Sequence, residues 1–153
     1  MIEFEVRPIT EPDLASLGER ERRRFRGTQD GQHEMLVGLL DGVPVGSVLI
    51  GGPKRDRFPG ALYLFALDVE PRYQNLGVGT ALIAAVEEDA RRRGLNLVNL
   101  EVGVTNDGAR RLYERLGFVL CGEAEWDSWT AYREDGTTFE KGEMCLPMVK
   151  ALD

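Results

Sequence analysis

The stretch Leu62 to Thr80 constrains this chain more than any other: an apolar run enters a turn bearing Gly77 and Gly79, and the turn opens a helix. A strand delivered this way into a helix start leaves backbone N–H groups without an intrachain partner. The helix dipole adds about half a positive charge at the same end, so the turn is suited to a phosphate. Gly77 and Gly79 put no β-carbon between the main chain and such a ligand. Two phosphate motifs fail here. A Walker loop needs Gly-Lys-Ser/Thr, whereas Gly79 is followed by Thr80 and Ala81. A dinucleotide fingerprint needs a small residue where Leu82 stands and belongs to the first strand-helix unit of an alternating fold, whereas antiparallel-looking strands come first here.

The 153 residues are enough for one domain, 1–153, with a sizeable core of its own. No apolar run nears the length of a membrane span, and Met1-Ile2-Glu3-Phe4-Glu5 lacks the basic start and apolar core of a secretory leader, so a cytoplasmic protein is expected. Cys121 and Cys145 have no Cys-x-x-Cys spacing, and His33 is the sole histidine, which leaves few ligands for a metal; none is expected, and both thiols read as reduced core or strand residues. The net charge of −7 argues against a nucleic-acid partner and favours a cationic one, or serves solubility alone. Arginine clusters at 20–26 and again at 91–93. The second cluster closes a helix, where cations oppose the dipole. The first reads as a solvated helix face or as a contact for phosphate or an acidic group.

Taken in order, Glu3 to Ile9 alternates as a first strand. Thr10-Glu11-Pro12-Asp13 starts a helical region, broken at Gly18, that ends by Gly27 or Gly31. Glu34–Leu40 and Val45–Ile50 flank Asp41-Gly42, a hairpin signal. A loop over Gly51–Gly60 leads to a strand from Ala61. Thr80 to Arg93 carries Leu82, Val86 and Ala90 on one helical face and stops at Gly94. Asn96 to Val102 is a further strand, with Leu97, Asn99 and Glu101 on one side. Asn106 caps a second helix carrying Leu112, Tyr113 and Leu116, and a strand follows from Phe118. The tail holds a turn at Asp135-Gly136 and a last strand through Met144 to Val149. Two strand-helix units in succession imply parallel neighbours.

Gln74-Asn75-Leu76-Gly77-Val78-Gly79 matches the pattern Gln or Arg, two residues, Gly, one residue, Gly or Ala. Downstream, Asn106 and then Ala109 through Leu112-Tyr113 to Gly117-Phe118 form a second motif in the matching order. The chain thereby resembles the Gcn5-related N-acetyltransferases (GNAT), most specifically over Ala61–Phe118. The resemblance implies an α/β (α+β) fold: a central, mixed, mostly antiparallel sheet of about six to seven strands, splayed between strands four and five and flanked by about four helices. It implies acetyl transfer from acetyl-CoA to an amine through a tetrahedral intermediate. Acetyl-CoA is then the cosubstrate, its pantetheine arm pairing with main-chain groups of Leu67 and Val69 as an added strand. Its pyrophosphate rests on Gln74, Asn75, Leu76, Gly77, Val78, Gly79 and Thr80, and Asn106 meets the cofactor from the other side while also capping its helix.

An alkylamine is mostly protonated at neutral pH, so a base must take its proton, and the departing thiolate gains from an acid. Tyr113 stands on the tyrosine that serves many relatives as that acid. Glu101 resembles the glutamate assigned as base in the bacterial ribosomal-protein alanine acetyltransferases, although Gly103-Val104-Thr105 departs from that subgroup's continuation. Asp68 is a second candidate base, turned toward an acceptor or toward solvent, and the residues alone do not choose between the two. Acceptor choice falls to the variable parts, above all Glu123-Ala124-Glu125-Trp126-Asp127-Ser128-Trp129. There the indoles and carboxylates either hold an ammonium or form a strand whose tryptophans pack while its acids face water. Tyr63 and Phe65 line the same cleft or the core. The expected activity is N-acetylation of a primary amine on a small molecule or peptide. The alternative is a module that binds acyl-CoA without turnover, and the resemblance also allows a homodimer through terminal strands.

Overall fold

A computed structural model describes residues 2–28, 31, 33–51 and 58–153, with Tyr132 described by its backbone. Residues 52–57 of the expected loop lie outside the described residues. Two compact units are present, Met1–Val98 with Ala151–Asp153, and Asn99–Lys150.

In the first unit the chain runs β1 (Glu5–Pro8), α1 (Glu11–Leu14), α2 (Glu19–Gly27), β2 (His33–Leu40), β3 (Val43–Gly51), β4 (Ala61–Val69) and α3 (Val78–Arg92), then enters β5 (Leu97–Gly103). Strands β1 to β4 pair in sequence order, each antiparallel to the next. The hairpin β2–β3 turns on Asp41 and Gly42 with φ of 51° and 80°, the two left-handed residues that match the right-handed twist of the flanking strands. Val37, Val48, Ile50, Leu62 and Leu64 from the sheet and Leu82, Ile83 and Val86 from α3 are buried. Helix α3 comes close to the sheet because Gly46 has no side chain: a β-carbon there would stand 2.8 Å from Cγ1 of Val78. That contact seats the first residue of α3 and so fixes where the helix begins. Gly18 separates α1 from α2, as the sequence suggests. At α1 Thr10 is the cap, as the sequence suggests: it forms a capping box with Asp13, its N–H and hydroxyl both donating to that carboxylate at 2.7 and 2.9 Å. Arg7 grips the same carboxylate with two nitrogens and, with the Thr10 donors, holds Asp13 well below the usual carboxylate range.

The second unit holds most of β5, then α4 (Asp107–Arg115), β6 (Val119–Leu120), β7 (Glu125–Tyr132) and nearly all of β8 (Thr138–Ala151). Both β6 and β7 pair antiparallel with β8. The β7–β8 hairpin turns at Gly136 with φ of 87°. Leu100, Val102, Tyr113, Phe118 and Met148 are among its buried side chains. The described residues thus form a mixed α/β arrangement with eight strands and four α-helices. The count exceeds the expected six to seven because the closing stretch divides into β6, β7 and β8.

Candidate functional site

The turn ahead of α3 is built around one backbone conformation. Gly77 has φ of 100° and is the residue before the helix, a geometry that a β-carbon makes costly. Asn75 also lies in the left-handed region, at φ of 64°. Gly79 is helical, so the bend belongs to Asn75 and Gly77, and Gly79 contributes only its missing side chain. The N–H of Ala81 reaches the carbonyl of Gly77 at 3.0 Å, whereas the N–H groups of Val78, Gly79 and Thr80 precede any possible helical acceptor. Val78 is buried while Gln74, Asn75, Leu76, Gly77 and Thr80 are exposed. The arrangement is an anchored helix start with its amides presented outward, a fit for a diphosphate. The side chain of Gln74 folds back, its Nε2 donating to the carbonyl of Val69 at 3.2 Å, which joins two of the residues expected to meet the cofactor.

Strand β4 carries a feature that alternation does not reveal. Leu49 faces Phe65 and Ser47 faces Asp68, so three steps on β4 match two on β3. The extra residue is a bulge, and Ala66 sits there with φ of 52°. The bulge brings Asp68 onto the face of Tyr63 and Phe65, whose rings stack at 5.2 Å between centroids. Tyr63 is buried and Phe65 half-buried, with the His33 imidazole edge-on to Phe65. Asp68 is bound by Arg20 and by Arg24, the latter at 3.5 Å. A cavity of about 280 Å³ adjoins it, lined by Gly18, Arg20, Ser47, Asp68, Val69 and Glu70 among others. The first arginine cluster is therefore taken up within the protein: Arg20 and Arg24 reach Asp68, while Arg22, Arg23 and Arg26 pair with Glu19. At the end of α3, Arg91 pairs with Glu88, and Arg92 and Arg93 with Asp89.

In the second unit, the Oδ1 of Asn106 accepts from the N–H of Ala109 at 3.2 Å. The cap uses the carbonyl oxygen and leaves Nδ2 of the same amide to donate elsewhere. Tyr113 is 7% exposed and lies edge-on to Phe118 with centroids 5.9 Å apart. Burial pushes its phenol up to about 12, so the hydroxyl stays protonated across the neutral range and suits a proton donor. Glu101 is half-buried on β5. A carboxylate oxygen of Glu101, one of Asp127 and the Sγ of Cys145 all lie within 4.8 Å of one another. Sequence spacing gave no hint of this group, because its members are distant in the chain and meet only through β5, β7 and β8. The same three atoms are the donor set able to hold a metal ion among the described residues. The tryptophan segment is mixed: Trp126 is 62% and Trp129 38% exposed and Glu123 and Glu125 face water, while Asp127 is buried at 7%. Both cysteines are free.

Comparisons with known proteins agree with this layout. The model of the Acetyltransferase (GNAT) family matches residues 3–118. A mycothiol acetyltransferase from Nocardiopsis dassonvillei is 33% identical over 135 residues, covering 86% of this chain and 34% of the relative. The [ribosomal protein bS18]-alanine N-acetyltransferase of Escherichia coli K12 is 42% identical over 55 residues, covering 36% of this chain and 37% of the relative. In these two relatives the match spans only about a third of the relative's length. Among solved structures, the ribosomal-protein-S18-alanine N-acetyltransferase from Escherichia coli superposes with a TM-score of 0.70 at 21% identity, covering 99% of this chain and 95% of the other. The yncA protein of Salmonella typhimurium, solved with its cofactor acetyl-CoA, gives a TM-score of 0.67 at 20% identity, covering 98% and 94%. No helix among the described residues is long and apolar enough to cross a membrane.

Proposed function

Because the chain belongs to the Acetyltransferase (GNAT) family, whose members use acetyl-CoA, we propose that it moves an acetyl group from acetyl-CoA to a primary amine of a small molecule or peptide. The observation that carries this reading is the turn at Gly77, whose φ of 100° opens an anchored helix start of the kind that receives a diphosphate. In the proposal, the amides of residues 75 to 80 hold the pyrophosphate, and Leu67 and Val69 offer main-chain groups to the pantetheine arm. The Gln74 amide gives up the Val69 carbonyl when that arm arrives. Bound acetyl-CoA supplies the activated thioester carbon. Glu101 takes the proton from the attacking ammonium, leaving the nitrogen lone pair free to attack. Tyr113, protonated throughout the neutral range, donates its hydroxyl proton to the departing sulphur. Asp68, whose carboxylate is engaged by Arg20 and Arg24, is the other candidate base.

Thiol release from acetyl-CoA in the presence of polyamines, aminoglycosides, amino acids and peptide amines tests the reading. Amine-dependent release with at least one class is the expected result. Tight acetyl-CoA binding with no release across the whole panel would favour a module that holds the cosubstrate without turnover.

A further inference from the structure

Proton transfer needs Glu101, yet the face around it carries more acceptors than one base requires. Asp127 and Cys145, the neighbours of Glu101 within 4.8 Å, are 7% and 4% exposed. Beside them Gly103 leaves a space that Glu143 fills: a β-carbon at 103 would stand 2.6 Å from the Oε2 of Glu143. Glu143 is the cross-strand partner of Asp127 and is exposed. Its carboxylate makes no ion pair among the described residues, and Lys141, two positions along β8, does not reach it. A separate observation points the same way. Asn99, on the Glu101 face of β5 and only 5% exposed, has an Oδ1 with no hydrogen-bond partner. Among the described residues no donor reaches this buried acceptor, which a water or a ligand N–H can satisfy.

The carboxylates and the Asn99 oxygen, unlike the Cys145 thiol, share one chemical character. Ionised carboxylates only accept hydrogen bonds, and the orphaned atom of Asn99 is likewise an acceptor. Their complement is a group that only donates and carries positive charge, which describes an alkylammonium with its three N–H bonds. The exposed indole of Trp129, two residues from Asp127 on the same face of β7, adds a surface that attracts cations. Resting on the acetyltransferase reading above, we infer that this face selects an acceptor with a second positive charge. The reacting amine gives its proton to Glu101, and Glu143 with Asp127 receives a neighbouring ammonium that stays protonated. The substrate class is a short diamine, or a longer chain of such amines. Gly103 is a specificity-determining position because a side chain there would displace Glu143.

Steady-state acetylation of 1,4-diaminobutane and 1-aminobutane by the wild-type chain and by Glu143→Gln tests this. The wild type should favour the diamine in kcat/KM by about tenfold or more, as expected for one charge-assisted contact, and the ratio should fall toward parity in Glu143→Gln. Calorimetric titration of 1,4-diaminobutane without acetyl-CoA supplies a readout independent of turnover, with affinity weakened about tenfold by the same substitution. Because Glu143 is exposed, the variant should fold, and an unchanged thermal midpoint checks that it does. Equal use of the two amines, or a diamine preference that survives Glu143→Gln, overturns the inference while leaving the acetyltransferase reading standing. Absence of transfer to any amine overturns both.

Discussion

The turn at residues 74–80 and the face around Glu101 are, in the proposal, two ways of making a site. The first is made of main chain: its donors are amides, its shape comes from Gly77 and Asn75 at positive φ, and it is contained in a few consecutive residues. The second is made of side chains: Glu101, Asp127, Glu143 and Cys145 stand on β5, β7 and β8 and meet only because those strands do. A main-chain site tolerates exchange of most side chains and fails when the backbone conformation is denied. A side-chain site tolerates backbone neighbours and fails when one functional group is changed. The two regions should therefore separate binding from chemistry.

The largest effect should come from Glu101→Gln, which keeps the shape and removes the proposed base. Turnover should fall by roughly 10²–10⁴-fold, the range for loss of a general base, while the acetyl-CoA dissociation constant stays within about twofold by calorimetry. A variant with near-normal kcat would assign the proton to another group. Next is Gly77→Val, which puts a β-branched side chain at φ of 100°. Strain of about 1–3 kcal/mol and loss of the amide geometry should weaken acetyl-CoA binding by about 10²-fold, seen in the same titration. Affinity equal to wild type would remove the turn from the cofactor site. Smaller still is Tyr113→Phe, with kcat lowered by about tenfold and cofactor affinity unchanged.

Tyr113 also makes a pH prediction. Its folded value of about 12 stands above the ordinary 10. The contribution of the buried phenol to stability is therefore complete below pH 10 and is lost as pH rises toward 12, since the unfolded chain ionises first. Urea midpoints measured across that interval should decline for the wild type and decline less for Tyr113→Phe. Parallel declines would show that the phenol is not the group responsible.

The same contrast explains what could be read in the sequence. The turn into α3 was legible because glycine spacing and a following helix are local signals, as was the Asp41-Gly42 hairpin, whose two residues take the left-handed conformations those residue types favour. The bulge at Ala66 was not, since alanine carries no mark of positive φ. Strict alternation along β4 would put Asp68 on the face opposite Phe65, whereas the bulge puts them on the same face. The segment around Trp126 stood out, yet which of its residues turn inward is decided by the pairing of β7 with β8. Asp127 is buried beside Glu101 because Glu125 pairs with Cys145, a fact of register with no counterpart in the spacing of the residues.

The most direct test of the account is a titration of acetyl-CoA into isotope-labelled protein, following the backbone amide resonances. The account predicts that the strongest shifts fall on the amides of residues 75 to 80, and that Gly77→Val abolishes them at the same ligand concentration. Saturable binding that leaves those amides unmoved would contradict it.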